Sequence, residues 1–93
     1  MIIGLLKIDL YLPSVHSLKG KRHIVKSLTA RIRNKFNVSI SEVGDNDIWQ
    51  RASLACCLVT NESGFASQVL EKVVAEIGRN LDGEILDYET SIL

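Results

Sequence analysis

Cysteine and histidine are scarce in this chain of 93 residues, which has two of each. Cys56 and Cys57 are adjacent, and neighbours on a strand point to opposite faces, so their thiols cannot bind one metal ion together. We interpret them as two small apolar side chains of the interior. His16 and His23 have no cysteine or second histidine at ligand spacing. The sequence therefore predicts no metal site and no cofactor.

Sequence signatures of catalysis are also missing. The chain contains no paired carboxylates, no nucleophile beside a base and no glycine-rich phosphate loop. Asp45 and Asp47, with Glu42 nearby, could bind a cation, but a tight turn over residues 44–47 explains the same residues, and their spacing differs from that of a calcium loop. We predict a turn there, no catalytic residue and no small-molecule substrate, so the protein is not expected to be an enzyme.

Long apolar runs are absent. None approaches the roughly 18 residues that indicate a membrane-spanning helix. The apolar N-terminus contains Lys7 and Asp9. It lacks the positively charged first segment and the small-residue cleavage site of a signal peptide, so we do not predict one. We expect a cytoplasmic protein with no membrane partner. Two separate cores would each be too small to be stable at this length, so residues 1–93 are predicted to form one domain.

Proline occurs once, and it ends the first predicted strand because it cannot donate a backbone hydrogen bond. That strand covers residues 1–12. One set of alternate residues is apolar throughout and is expected to face the core: Ile2, Gly4, Leu6, Ile8 and Leu10. Ser17 is the predicted N-cap of a helix that is firm over residues 21–36, and Asn37 is predicted to close it in the left-handed conformation.

The second half repeats this alternation of strand and helix. Strands are predicted over residues 38–43, 49–60 and 84–92, and a helix capped by Asn61 or Ser63 runs to about residue 80. Four residues of the long strand are expected to face the core: Ala52, Leu54, Cys56 and Leu58. Four helical residues are expected to form a solvent face of mixed charge: Glu71, Lys72, Glu76 and Arg79. The order predicts a ferredoxin-like α+β fold, a four-stranded antiparallel sheet with two helices on one face.

Acidic residues are absent between Asp9 and Glu42, although the whole chain has a net charge of zero. Within that interval, residues 18–36 contain seven of the chain's eleven lysines and arginines. At 100° per residue, four of them form one line beside the apolar face of the predicted helix, which we call the basic stripe: Lys19, Arg22, Lys26 and Arg33. Lys21 projects near the apolar arc and is expected beyond the core, at the start of the helix.

A charged helix face is usually a solvated surface whose long side chains cover the edge of the core. Two features favour a binding role instead. The segment has no acidic residue for an intrahelical ion pair, and Lys19, Lys21 and Arg22 lie near the helix N-terminus, where the dipole disfavours cations by about 0.3–1 kcal/mol each. An external polyanion would offset this cost. The predicted nucleic-acid-binding residues are Lys19, Lys21, Arg22, Lys26 and Arg33.

Aromatic residues are few, and their positions limit how RNA could be bound. RNA-binding proteins of this topology stack bases on aromatic side chains of the two central strands. Here the second long strand has none along its body, and the first has only Tyr11 at its end. Trp49, at a strand start, is interpreted as a core or interface anchor. The sequence therefore favours contacts from the basic stripe to phosphates of a structured RNA over base stacking on the sheet.

The face of the sheet without helices suggests an alternative function. Its predicted residues are small or apolar, namely Leu5, Ser53, Ala55, Cys57 and Val59. Such a face would be unusual if fully exposed in a monomer. The alternative is a protein-interaction module that forms a homodimer through this face and has no nucleic-acid role. A further possibility left open is that the basic helix contacts the acidic last strand of another copy.

Several segments together resemble the YlxP-like family of small bacterial proteins, a domain of unknown function. The segments are SLKGKR, RIRNKFN, EVGDNDIWQR and ILDYETSIL, and the resemblance extends over essentially the whole chain. Gly20 departs from the pattern, since the family commonly has glutamate there, and this affects the helix cap. The resemblance implies a ferredoxin-like fold, a bacterial cytosolic protein and no established activity. Genes of the family often neighbour those for transcription and translation factors and a ribosome-binding factor, which implies an RNA or ribosomal particle as partner.

Overall fold

The computed structural model describes residues 1–44 and 48–93, so the turn predicted at Asp45 and Asp47 lies outside the described residues. Its elements follow the predicted order: β1 (Ile2–Tyr11), α1 (Leu18–Lys35), β2 (Ser39–Gly44), β3 (Arg51–Thr60), α2 (Ser63–Asn80) and β4 (Glu84–Ile92). The strands form one sheet in the order β2-β3-β1-β4, and every neighbouring pair is antiparallel. The predicted ferredoxin-like fold is confirmed.

The core lies between the sheet and the two helices. In β1 and β3 the predicted inward residues are buried except Ile2, which is partly buried, and the register places Leu6 opposite Cys56 and Ile8 opposite Leu54. Because aligned residues of paired strands share a face, one alternation in each strand fills the same side of the sheet. The helices complete the core with Leu28, Ile32, Leu70, Val73 and Ile77. Burying one such side chain contributes about 1.5–3 kcal/mol relative to leaving it exposed.

Helix α1 begins and ends at residues that its sequence only partly predicts. The Ser17 hydroxyl accepts a hydrogen bond from the Gly20 backbone N–H at 3.0 Å, which confirms the predicted N-cap. The prediction that Asn37 closes the helix was wrong, because the cap residue is Phe36, in an extended conformation with φ of −129°. The Phe36 side chain is half-buried and packs against the core, and its N–H bonds to the Ile32 carbonyl at 2.9 Å. Tertiary packing of Phe36 therefore takes the place of a left-handed cap.

The N-cap prediction for α2 was also wrong. Glu62 is the cap residue and makes no side-chain capping bond, while Ser63 is the first helical residue. The helix nevertheless buries Ala66, Leu70, Val73 and Ile77 on its apolar face. The burial of that face stabilises α2 without a side-chain cap, as is common for amphipathic helices in proteins.

The opposite face of the sheet is not covered by either helix. In β1 this face presents Leu5, Lys7 and Asp9. Their neighbours on the same face are Cys57, Ala55 and Ser53 in β3, and Ser91, Glu89 and Asp87 in β4. The two edges of the sheet differ in charge, because α1 packs over β2 whereas β4 carries Glu84, Asp87 and Glu89. The basic helix therefore lies at one side of the sheet and the acidic strand at the other.

Candidate nucleic-acid interface on the first helix

The four residues of the basic stripe are all exposed on α1. Within the described part of the chain, no carboxylate lies within 4.0 Å of Lys19, Arg22, Lys26 or Arg33. Arg31, on the other side of the helix, likewise has no such carboxylate among residues 1–44 and 48–93. As far as residues 1–44 and 48–93 are concerned, the stripe is thus a line of positive charge without a paired carboxylate, on the surface of a protein whose net charge is zero.

Lys21 does not belong to this surface, and its predicted position beyond the core was wrong. Its side chain is 1% exposed. The Nζ atom lies 2.9 Å from Glu42 Oε2 and donates a hydrogen bond of 2.8 Å to the Ile48 carbonyl. The helical wheel put Lys21 near the apolar arc correctly, but the end of β2 folds over it and supplies a carboxylate. Lys21 is therefore a structural residue of the α1–β2 junction and is removed from the candidate interface.

A groove of about 350 Å³ runs between α1 and β2 beside the stripe. Arg22, Lys26 and Arg33 line it from the helix, and Ser41 and Glu42 line it from the strand. Three of the four stripe residues therefore share one concave surface. An anion lying in this groove would face several positive charges at once, which favours an extended polyanion over a single small ion.

Arg33 differs from the other residues of the stripe because it also contacts the sheet. Its Nη1 donates a hydrogen bond of 3.0 Å to the Ile40 carbonyl in β2, and its Nη2 donates one of 3.4 Å to Thr29 Oγ1. Strand β2 is an edge of the sheet, and a charged side chain on an edge protects it against pairing with other chains. Arg33 is thus held in a defined orientation at one end of the groove.

The far end of α1 carries an ion cluster that joins the two helices. Glu76 accepts hydrogen bonds from Lys35 Nζ at 2.7 Å and from Arg79 Nη2 at 2.5 Å, and Asn80 Nδ2 donates to it at 2.9 Å. The Lys35 ammonium, and next the Arg79 guanidinium, lower the pKa of Glu76 to about 2. The predicted position of Glu76 on the solvent face was wrong, because Lys35 reaches across from α1 and the carboxylate is buried between them. Lys35 is neutralised here and adds little to the basic surface.

Among the described residues, the buried cysteine and the possible metal ligands can be assessed directly. Burial, and then the neighbouring Cys57, raise the pKa of the Cys56 thiol to about 11, which disfavours the thiolate that a nucleophile needs. No three His, Cys, Asp or Glu side chains in residues 1–44 and 48–93 are grouped so that they could hold a metal ion. In the same residues, neither helix is long and apolar enough to span a membrane.

Trp49, for which the sequence left a core or an interface position open, lies at the surface. Its side chain is 51% exposed, so it is not a core anchor. Val43 and Ile48, near it in the β2–β3 hairpin, are exposed as well. The hydrogen bond from Lys21 to the Ile48 carbonyl brings this part of the hairpin to the first turns of α1. The only sequence signal was a large aromatic residue beside a predicted turn, which does not distinguish an interface from the core.

The family of the protein is decided by its match to a model described as "Protein of unknown function (DUF503)", which covers residues 3–90. This chain is a member of the DUF503 family. A relative in Bacillus subtilis (strain 168), the "Uncharacterized protein YlxP", is 38% identical to it over 76 residues, or 82% of this chain and 83% of that protein. The resemblance to YlxP-like proteins is confirmed, and membership of DUF503 brings no established activity.

The similarity of this DUF503 protein to solved structures bears only on its fold. A protein of Chloroflexus aurantiacus J-10-fl, provisionally named an antibiotic biosynthesis monooxygenase, has a TM-score of 0.55 and 14% sequence identity over 100% of this chain and 93% of its own. A dimeric ferredoxin-like protein of unknown function from Thermobifida fusca YX has a TM-score of 0.44 and 12% identity, covering 98% of this chain and 90% of its own. At 14% identity the likeness to the Chloroflexus protein shows a shared architecture and transfers no function.

Proposed function

We propose that this protein is a non-catalytic, cytoplasmic RNA-binding module that contacts phosphates through the basic stripe, with ribosomal RNA or a ribosomal particle as its partner. The observation that carries the proposal is that Lys19, Arg22, Lys26 and Arg33 are exposed and unpaired with any carboxylate of the described chain. When exposed lysine and arginine side chains neutralise phosphates, the counterions that surrounded the RNA are released. This release is the main source of sequence-independent affinity for nucleic acid.

The distribution of charge over the fold supports an oriented encounter. The net charge is zero, so attraction to RNA cannot come from the protein as a whole. The α1 side of the sheet is basic, while Glu84, Asp87 and Glu89 lie along β4 at the far edge. A polyanion is therefore attracted to α1 and repelled from β4, which orients the protein before contact.

The expected form of binding is phosphate contact with little sequence preference. Lysine and arginine side chains contact phosphate oxygens, and such contacts carry no sequence information. The open sheet face is not suited to the base stacking used by other RNA-binding proteins of this topology, because its central rows hold Leu5, Lys7, Ala55 and Cys57 rather than aromatic residues. The affinity is thus expected to depend strongly on salt.

The test compares two triple variants that remove the same charges from different surfaces. One replaces Lys19, Arg22 and Lys26 by alanine, and the control replaces Lys7, Arg51 and Lys72, which are also exposed and also comprise two lysines and one arginine. We expect the first variant to bind ribosomal RNA more weakly and to lower the slope of log affinity against log salt by about 2–3, because each lost phosphate contact removes roughly 0.7–0.9 of that slope. Filter binding at several salt concentrations measures both quantities.

The control variant is expected to keep the affinity and slope of the natural protein. Equal losses in the two variants would mean that only total charge matters, and unchanged binding in both would rule out the basic stripe as the interface. Arg33 is left in place in both variants because its bond to the Ile40 carbonyl gives it a structural role that would confuse the comparison.

A second candidate function is favoured by the apolar end of the open sheet face. Val59 and Leu93 are 68% and 69% exposed, and both are neighbours of Ile3 across the sheet. Leu5 and Cys57 form the next row of the same face. A second copy of the chain covering this end would remove apolar surface from water, and a face-to-face dimer would leave α1 accessible, so the two functions are compatible.

Sedimentation equilibrium tests this second candidate. We expect twice the monomer mass of 10.3 kDa at micromolar concentration, and a return to monomer when Val59→Lys places a charge in the apolar row. Phe65→Lys, an equally non-conservative change of an exposed apolar residue on α2, serves as the control and should leave the dimer intact. A monomeric mass for the natural protein at these concentrations would exclude the dimer.

A further inference from the structure

The side chain of Trp49 is exposed, while the backbone carbonyls of its two neighbours in the chain accept hydrogen bonds. Its indole is half-exposed, and it is the only tryptophan in the chain. Isolated exposed tryptophans are costly, because so large an apolar surface remains in contact with water. Such residues are enriched where a protein meets a partner. The surroundings of Trp49 identify what that partner is.

On one side of Trp49 the chain is anchored to helix α1. The Ile48 carbonyl accepts a hydrogen bond of 2.8 Å from the buried Lys21 Nζ. Lys21 is itself held by its ion pair with Glu42, at 2.9 Å. A buried, charged donor makes this a strong attachment, since hydrogen bonds to ionised groups are about twice as strong as neutral ones.

On the other side the chain is anchored to the loop that precedes α1. Gln50 Nε2 donates hydrogen bonds to the carbonyls of Pro13 and Val15, at 3.1 and 3.2 Å. The Gln50 carbonyl accepts a bond of 2.7 Å from the Leu12 N–H. Ile48 is therefore fixed to α1 and Gln50 to the loop before it, so the backbone on each side of Trp49 is anchored while its side chain stays exposed.

This position lies at the N-terminal end of the basic stripe. Lys21, which holds Ile48, directly precedes Arg22 in α1. Glu42, the partner of Lys21, lines the groove together with Arg22 and Lys26. Trp49 therefore follows in the chain a residue that is bonded to the first turns of α1, where the exposed cations of the basic stripe begin. This combination matches how proteins bind single-stranded nucleic acid, with cations on the backbone and aromatic rings on the bases.

We propose that Trp49 stacks on an unpaired base of an RNA whose phosphates lie along Arg22 and Lys26, so that the preferred ligand is single-stranded or looped RNA rather than continuous duplex. The inference rests on the proposed function and adds to it the class of RNA. Every base has a flat face, so one stacking residue adds affinity without reading sequence. The adjacent positive charge favours a nucleic acid over an apolar protein surface as the occupant.

Because Trp49 is the only tryptophan, its fluorescence reports on this site alone. The protein is titrated with a uridine oligonucleotide and with an abasic oligonucleotide of the same length and charge. We expect the first to quench the fluorescence and the second to bind through phosphates with little quenching. Equal quenching by both, or none by either while both bind, would overturn the inference.

Substitution supplies the second measurement. Trp49→Ala is expected to weaken binding of the uridine oligonucleotide about tenfold, to leave binding of the abasic oligonucleotide and of duplex RNA unchanged, and to keep the salt slope. Trp49→Tyr, which retains a stacking ring, should restore most of the affinity. An equal loss for every ligand would mean that Trp49 has only a structural role, and no loss would exclude stacking.

The two proposals can fail separately. If Trp49→Ala changes nothing while the Lys19, Arg22 and Lys26 triple variant still lowers the salt slope, the RNA-binding function stands and the stacking role is wrong. If the natural protein binds neither oligonucleotide nor duplex RNA, the proposed function itself is wrong. Concentration-dependent fluorescence of the protein alone would instead indicate that a second copy covers Trp49, which also overturns the inference.

Discussion

Replacing Lys21 by methionine is expected to lower the free energy of unfolding by about 3 kcal/mol, because it leaves the Glu42 carboxylate buried without its cation. Methionine keeps an unbranched side chain out to the ε carbon and removes the terminal ammonium group, which carries the charge and the hydrogen-bond donor. The Glu42 side chain is 16% exposed and its Oε2 atom is buried, so little solvent compensates for the lost ion pair. The bond to the Ile48 carbonyl is lost at the same time.

Urea and thermal unfolding measure this effect. For a chain of this size a loss of about 3 kcal/mol corresponds to a decrease in melting temperature of about 12–24 °C. Lys19→Met, two residues away on the exposed surface, is the matched control and should change stability by less than about 0.5 kcal/mol. The double variant Lys21→Met with Glu42→Leu should be more stable than Lys21→Met alone, since it removes the unpaired charge. A double variant no more stable than the single one would contradict this account.

Gly83→Ala is the second substitution with a large expected effect, about 2–3 kcal/mol of lost stability. A Cβ atom at this position would lie far inside contact distance of the Tyr11 carbonyl oxygen, where β1 and the start of β4 meet. Backbone atoms cannot move aside as the end of a flexible side chain can. The chain entering β4 would have to shift and lose its pairing with Tyr11.

Gly64→Ala provides the comparison, because nothing lies within 4 Å of a Cβ atom built there, in the first turn of α2. Alanine is the better helix former by about 0.8–1 kcal/mol in a helix interior, so this variant is expected to be as stable as the natural protein or more so. The two glycine variants, measured side by side by urea unfolding, should therefore change stability in opposite directions. A loss of equal size in both would show that contact with Tyr11 is not the cause.

Much of the fold could be predicted from local pattern. Alternation in β1 and β3 identified the core face of each strand, and β4 has the predicted bounds, Glu84–Ile92. These predictions succeed because side chains alternate across a strand and repeat every 3.6 residues around a helix. The cap at Ser17 is local in the same sense, since its hydroxyl bonds to the N–H three residues later.

The candidate site was predicted less completely, and the failures share a cause. A helical wheel of residues 18–36 identified the exposed basic stripe, whose role in binding RNA stays a prediction. It could not predict that Lys21 pairs with Glu42, or that Lys35 reaches Glu76 over a separation of 41 residues. Which cations are neutralised depends on the carboxylates that the fold brings near, and a helical wheel contains only one helix.

For this protein the periodicity of apolar residues and the order of elements are sufficient for the ferredoxin-like fold, and the absence of acids between Asp9 and Glu42 is sufficient to make α1 basic. Tertiary structure divides that basic segment into different roles. It buries Lys21, neutralises Lys35 and leaves Lys19, Arg22 and Lys26 exposed. The reason is that charge is a property of the residue, whereas solvation and ion pairing depend on neighbours that only the folded chain supplies.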